Sequence, residues 1–346
     1  MAKRSLSAAW AKAFQRNATA LGRQAARAGV LALARSVKAS AKSGARAKAV
    51  ARTNARPPPG AGEWLGGVVS GLAGVRRYWL FRPPGIAAKE ARPLLVMLHG
   101  CGQSAAEFAA STRMNAIARR EGFLVLYLEQ DRLANPQGCW NWYDTDNGRA
   151  YGEAALILKA IDQLGLQQPV DLARVAVVGL SAGASMAALL AARHPERFKA
   201  VVMHSGVPVG AAHSSLSALA AMRGRRVAKP LQWAPGTGPA GLPHLLVIQG
   251  EADPLVAPAN GRAAAQGWAA ASQASAGPPR TVQRGQRYPF SLTEYKRAGQ
   301  VVVAWVEVAR LGHAWSGGAP KRAFSDPQGP DASRMLWQFL AKRFRA

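Results

Sequence analysis

The stretch that most constrains this chain is an apolar run, Arg174-Val175-Ala176-Val177-Val178, that ends in Gly179-Leu180-Ser181-Ala182-Gly183 and passes at once into an Ala/Leu-rich helical pattern. A serine on so tight a strand-to-helix turn needs small neighbours, because a strained backbone and a close helix leave no room for side chains at Gly179 and Gly183. The pattern predicts a nucleophile elbow with Ser181 exposed above a sheet. The same turn aims the N–H of Ala182, and the positive end of the helix that follows, at the place where an oxyanion would form. A bare G-x-S-x-G also occurs as an ordinary strand-to-helix turn, so the rest of the chain has to decide between the two readings.

Around the elbow, strand and helix signals alternate. Residues 75–82, 93–98, 123–128, 175–178, 200–203, 245–248 and 301–308 read as strands, and 105–120, 151–164, 182–193, 258–271 and 331–345 as helices, the last with Asp331 as its cap. Between them, residues 207–241 form an excursion rich in Gly, Pro and Ala. Short apolar strands alternating with helices predict a mainly parallel sheet covered on both faces, an α/β fold.

The first 62 residues are different. They hold thirteen of the 45 Lys and Arg and none of the 18 Asp and Glu. Residues 1–56 read as a basic, Ala-rich extension, forming one or two amphipathic helices or a disordered arm, and 56–62 read as a Pro-rich linker. The folded domain is expected over 63–346. No run reaches the roughly 20 apolar residues of a membrane span. The apolar patch Ala28-Gly29-Val30-Leu31-Ala32-Leu33-Ala34 is short, starts late and is followed by Arg35 and Lys38, which argues against a signal peptide. That favours a cytoplasmic or granule-associated location over an extracellular or periplasmic one.

Two later segments supply an acid and a base in the order that suits the elbow: Glu251-Ala252-Asp253 after the strand at 245–248, and Gly312-His313 after the strand at 301–308. A neutral imidazole held by a carboxylate can take the serine proton and return it to a leaving group, so Ser181, Asp253 and His313 are the candidate triad. Glu251 is the rival acid; His194, His204, His213 and His244 are read as structural or solvent-facing. The loop His99-Gly100-Cys101-Gly102-Gln103 offers the N–H of Cys101 as a second oxyanion donor, with His99 as a buried brace. Such chemistry asks for no cofactor, and the two cysteines, Cys101 and Cys139, lack metal-site spacing, so no metal is expected.

Taken together, His99-Gly100-Cys101-Gly102-Gln103, Glu129-Gln130, Cys139-Trp140-Asn141-Trp142, Gly152-Glu153, the elbow, Asp253 with Val256-Ala257-Pro258-Ala259-Asn260, Gly312-His313-Ala314-Trp315-Ser316-Gly317-Gly318 and the segment from Asp326 to Ser333 resemble the polyhydroxybutyrate depolymerase family of esterases. The resemblance implies an α/β-hydrolase fold, hydrolysis of hydroxyalkanoate esters through the Ser181, Asp253 and His313 triad, and an oxyanion hole at Cys101 and Ala182. Relatives that act on feruloyl and acetylxylan esters widen the substrate. It also favours a Cys101–Cys139 disulfide, although cytosolic thiols stay reduced. Trp140, Trp142 and Trp315 are read as flat apolar surface for an acyl chain. Leu128, where the family pattern leads one to expect proline, and Glu251, where it leads one to expect aspartate, depart from it. A different class of function, a basic nucleic-acid-binding protein on a non-catalytic hydrolase scaffold, is opposed by the complete triad.

The leader is expected to bind an anionic membrane or a polymer granule through Leu6, Trp10, Phe14, Leu21 and its cations, while its attraction to nucleic acid is expected to be non-specific. A protein shortened to begin at Glu63 should match the full chain on a soluble ester and lose binding to, and hydrolysis of, native granules. Unchanged granule hydrolysis would remove that role from residues 1–56.

Overall fold

The computed structural model describes residues 61–87 and 90–345, so the expectations for the basic leader lie outside the described residues. The sheet is built from β1 (Glu63–Gly71), β2 (Gly74–Arg82), β3 (Arg92–Leu98), β4 (Leu124–Glu129), β5 (Val170–Leu180), β6 (Ala200–His204), β7 (His244–Gly250), β10 (Phe290–Arg297) and β11 (Gln300–Val308), with the short β8 (Ser275–Ala276) and β9 (Arg280–Val282) at one edge. Its order is β1-β2-β4-β3-β5-β6-β7-β11-β10-β8, and β9 also pairs with β10. From β4 to β11 every pairing is parallel. Both margins are antiparallel hairpins, β1 with β2 and β10 with β11. The expected parallel core is present; the antiparallel margins are additional.

Why the centre is parallel can be read from burial. Leu94, Leu95, Val96, Met97 and Leu98 of β3 are all fully buried, although successive strand residues point to opposite faces. On one face Leu95, Met97, Val125, Val178, Val202 and Ile248 share a core with Phe108 of α1 (Ala105–Thr112), Met114 and Ile117 of α2 (Met114–Glu121), and Leu336, Phe339 and Leu340 of α7 (Ala332–Arg345). The other face is covered by α3 (Arg149–Gln167), α4 (Ala182–Arg193) and α6 (Ala259–Ala271). At roughly 1.5–3 kcal/mol per fully buried large aliphatic side chain, this two-sided burial is the main force holding the strands in register.

Local chemistry sets the helix ends. Ser104 caps α1 through a capping box with Glu107, and Asp331 accepts from the N–H of Arg334 at 2.9 Å ahead of α7, as the sequence suggests. The single helix expected over 105–120 is instead two. Arg113 sits in the left-handed region (φ 55°) between α1 and α2, and its guanidinium donates to the Gly317 carbonyl at 2.6 Å. The 207–241 excursion contains a further short helix, α5 (Ser215–Met222).

At the C-terminal ends of the parallel strands, four loops meet: those after β3, β5, β7 and β11. Ligand sites of open α/β sheets lie outside these ends. A separate cavity of about 1320 Å³, lined among others by Lys199, Arg284, Arg334, Lys342 and Arg345, opens beside α7. None of the candidate site residues lines it.

Strand β11, which leads to His313, is held by a two-residue hairpin loop in which Ala298 (φ 48°) and Gly299 (φ 77°) both adopt positive φ. Such a turn favours Asn-Gly, and an alanine there is strained by roughly 1 kcal/mol. Ala298→Asn should therefore raise the melting temperature by about 1–3 °C without changing activity; a lower melting temperature in calorimetry would contradict this reading of the turn.

Candidate active site

The elbow is made by close backbone approach. A Cβ on Gly179 would lie 2.1 Å from the carbonyl carbon and oxygen of Gly183, and one on Gly183 would lie 2.1 Å from the carbonyl oxygen of Leu98. Only glycine fits at either position, so α4 starts directly against the ends of β5 and β3. Between the two glycines Ser181 is forced to φ 57° and ψ −120°, held by its own N–H donating to the His204 carbonyl at 2.8 Å. Its side chain is half-buried. The helix behind it is buried on every side from Ala182 to Ala192, which small side chains make possible.

The acid and base loops are locked to each other just as closely. A Cβ on Gly250 would lie 2.2 Å from the Leu311 carbonyl oxygen, and the Ala252 N–H donates to that same oxygen at 3.1 Å. This contact brings Asp253 Oδ2 within 2.8 Å of His313 Nδ1, with both side chains almost wholly buried. Asp253 Oδ1 accepts from the N–H groups of Leu255 and Val256, each at 2.9 Å, and Oδ2 also accepts from Gln249 Nε2 at 3.2 Å. Burial pushes the Asp253 carboxyl upward, but the charge of His313, its hydrogen bond and the two backbone donors outweigh it and leave the pKa lowered. The carboxylate therefore stays ionised and fixes the Nδ1–H tautomer of His313. Glu251 is exposed, and its N–H is taken by the Val308 carbonyl.

Among the described residues, neither Ser181 Oγ nor His313 Nε2 has a hydrogen-bond partner, and they are not bonded to each other. Hydrogen bonds of this kind commonly tighten only around substrate. The N–H groups of Cys101 and Ala182 likewise donate to no acceptor among the described residues. Cys101 is joined to Cys139 by a disulfide, with Cα atoms 4.2 Å apart. The Gly102 N–H donates to the Gln137 carbonyl at 3.0 Å, so the loop at 99–102 is tied to the loop at 137–141 on two sides.

The aromatic readings need correction. Trp140 and Trp315 are fully buried and Trp142 nearly so; Trp140 Nε1 donates to the His99 carbonyl at 3.1 Å and Trp315 Nε1 to Ser333 Oγ at 3.0 Å, while Trp142 packs edge-on with Tyr143. Trp315 stacks on His204 and meets Phe108 edge-on. These rings brace the loops of the site and do not offer a free face to an acyl chain; the amphipathic indole suits both tasks, and sequence does not separate them.

His204 was legible only as a strand end. It is completely buried on β6, between the strands that carry Ser181 and Asp253, and its Nε2 accepts from the Ser316 N–H at 3.1 Å. Its proton therefore sits on Nδ1, facing Ser205 Oγ at 3.2 Å. Burial, and then the positive charge of nearby His313, lowers its pKa to about 3. A neutral His204 thus pins the β12 (Trp315–Ser316) backbone that follows His313. Gln249, the second residue missed, spans Asp253 and the Val256 carbonyl. His99 is the brace expected: its Nε2 accepts from the Gln130 N–H at 3.1 Å and its Nδ1 meets the Gly100 carbonyl at 2.8 Å. Among the described residues no group of side chains has the makings of a metal site.

The chain is similar to known proteins in sequence and in fold. A family model described as "Esterase PHB depolymerase" matches residues 76–270. Poly(3-hydroxyalkanoate) depolymerase C of Paucimonas lemoignei is 36% identical over 187 residues, covering 51% of this chain and 44% of that protein. Feruloyl esterase B of Neurospora crassa is 30% identical over 161 residues, covering 46% and 53%. The chain thus spans about half the length of these two relatives. Among solved structures, an acetyl xylan esterase from Aspergillus awamori superimposes with a TM-score of 0.63 at 17% identity, over 80% of this chain and 99% of that one. An alpha/beta hydrolase from the metagenome of Lake Arreo gives 0.53 at 19% identity, over 84% and 86%. With a family match over more than half its length and the sheet of an α/β-hydrolase beneath it, the chain belongs to the Esterase PHB depolymerase family of carboxylic ester hydrolases.

Proposed function

We propose that this esterase cleaves hydroxyalkanoate esters, as oligomer or polymer, with Ser181 as nucleophile, His313 as general base and acid, and Asp253 as its partner. The observation that carries the mechanism is the buried 2.8 Å contact of Asp253 with His313 at the same strand ends as the elbow. For the substrate class, support comes from the similarity to a depolymerase at 36% identity. A second reading, an esterase for feruloyl or acetylated carbohydrate esters, is supported by the relatives of those names.

In either case the chemistry is one cycle run twice. Ser181 Oγ attacks the ester carbonyl as His313 Nε2 removes its proton, and the oxyanion of the tetrahedral intermediate receives hydrogen bonds from the N–H groups of Ala182 and Cys101. His313 then gives the proton to the departing alcohol oxygen, leaving the acyl group on Ser181. Water, deprotonated by the same imidazole, attacks this acyl-enzyme, and His313 returns the proton to Ser181 Oγ as the carboxylic acid leaves. Asp253 keeps its negative charge throughout and stabilises the imidazolium.

A substrate surface beyond the cleft is part of the proposal. The leader would hold the enzyme on a polymer surface or an anionic membrane by combining cations with a few apolar side chains. The Cys101–Cys139 bridge supports an oxidising location, extracellular or periplasmic, over a reducing cytoplasm.

Ser181→Ala and His313→Ala should each cut kcat by at least about a thousandfold with the fold intact, and Asp253→Asn by up to about 10⁴. Glu251→Gln should stay within about threefold; the opposite ranking of the two acids would move the role to Glu251. Rates on hydroxybutyrate trimer, amorphous polymer, feruloyl sugar and acetylxylan rank the two substrate readings, and faster turnover of either carbohydrate ester would overturn the first.

Acid should also weaken the fold through His204. Below its ordinary pKa of 6.5 the unfolded chain binds a proton that the folded chain, with a pKa near 3, refuses, so stability falls as pH drops from about 6.5 towards 3. The slope from this one group is at most about 1.4 kcal/mol per pH unit. Melting curves between pH 7 and 4.5 should be less pH-dependent for His204→Gln than for the parent; equal slopes would contradict the assignment.

A further inference from the structure

Three residues of the sequence motifs, Gln130, Asn141 and Glu153, take no part in the chemistry above, yet all three are buried, and the first two both donate to the third. The centre is the carboxylate of Glu153, 1% exposed on α3. Its Oε1 accepts from Arg76 at 3.1 Å, from Gln130 Nε2 at 2.7 Å and from Asn141 Nδ2 at 2.7 Å, and its Oε2 accepts from the Asn141 N–H at 2.9 Å. Arg76 is itself 2% exposed, so this is a buried ion pair. Such pairs bring little net stability, because the desolvation of two charges offsets their attraction. Simple stabilisation is therefore a poor explanation for it, and its connections point to a different one.

Glu153 grips the segment at 139–141, and Gln130 adds a hydrogen bond from Nε2 to the Cys139 carbonyl at 2.9 Å. On its other side this segment holds the oxyanion loop: Cys139 through the disulfide to Cys101, and Trp140 through its indole N–H to the His99 carbonyl. Gln130 reaches the same loop directly through His99 Nε2. Residues 139–141 are thus a splint between Glu153 and the Cys101 N–H. We propose that Glu153 is a positioning residue for ester hydrolysis, fixing the Cys101 N–H where the oxyanion forms. This rests on the reading that Cys101 and Ala182 stabilise the oxyanion. A donor moved by a fraction of an ångström loses much of its transition-state stabilisation while the ground-state ester is bound as before.

The test is Glu153→Gln, which keeps the shape, removes the charge opposite Arg76 and replaces one acceptor by an amide NH₂. The full chain is assayed on p-nitrophenyl butyrate, with rates expressed per active site labelled at completion by a fluorophosphonate and counted by mass spectrometry. Expected are a kcat per labelled site lower by about 10- to 100-fold, a KM within twofold of the parent, and a trifluoromethyl ketone inhibition constant raised in parallel with the loss of kcat. A purely structural role would lower the number of labelled sites and leave kcat per site unchanged; that result, or a change confined to KM, overturns the proposal. If Glu153→Gln does not fold, Asn141→Ala, which removes one splint contact from the other side, is read by the same criteria and decides. Ser181→Ala run alongside separates the two claims: if it still hydrolyses the ester, the nucleophile assignment has failed, and if it does not, the Glu153 result stands or falls alone.

Discussion

Backbone packed against backbone at Gly179, Gly183 and Gly250 is the constraint on which the site depends. Where a Cβ would come within 2.1–2.2 Å of a carbonyl, no side chain can be admitted, and the strand ends, the α4 start and the Leu311 turn are brought to van der Waals contact. That contact makes Ser181 a half-buried residue with positive φ rather than the first residue of an ordinary helix. It also lets the loops carrying Asp253 and His313 touch. The strain at Ser181, on the order of 1–2 kcal/mol, is sustained because two-sided burial of the central strands over-determines the turn.

Around that nucleus lie braces that differ in chemistry. The base loop is fixed by neutral hydrogen bonds: His204 to Ser316, Ser316 Oγ to the Pro330 carbonyl, Trp315 to Ser333, and Ser333 Oγ to the Thr112 carbonyl. This gives the Gly312–Gly318 and Asp326–Ser333 motifs a physical meaning: they dock the His313 loop against α1 and the start of α7. The oxyanion loop is fixed instead by a disulfide and by groups gathered round a buried charge. Removing one neutral bond from the first set should be felt mainly as stability. The second set holds the loop that carries the Cys101 N–H.

Much of this was legible in the sequence, for reasons that differ from element to element. The parallel strands announce themselves because burial on both faces demands continuous apolar runs such as Leu94 to Leu98. The elbow does so because only glycine meets its packing. β1 was not seen as a strand: Glu63-Trp64-Leu65-Gly66-Gly67-Val68-Val69-Ser70-Gly71 is a margin strand with most residues partly exposed and three glycines, two of them facing Trp79 and Tyr78 on β2. β10, with its polar Ser291, Thr293, Glu294 and Lys296, hid for the same reason. The break at Arg113 is paid for by a contact with Gly317, 204 residues away, which no local pattern reveals. Glu153 and His204 owe their places to partners distant in the chain, Gln249 bonds within its own loop at Asp253 and Val256, and the tryptophans are hard to place because a buried indole that bonds inward looks, in sequence, like one that lines a cleft.

What unites these observations is the claim that ester cleavage passes through an acyl group on Ser181. The direct measurement is to mix the enzyme with an excess of p-nitrophenyl 3-hydroxybutyrate, quench in acid during turnover, and map the digested peptides by mass spectrometry. The account predicts a 3-hydroxybutyryl adduct on the peptide containing Ser181, at that residue, and its loss when turnover is allowed to finish. Sustained release of p-nitrophenol with no adduct at Ser181, or with the acyl group on a different side chain, would contradict it.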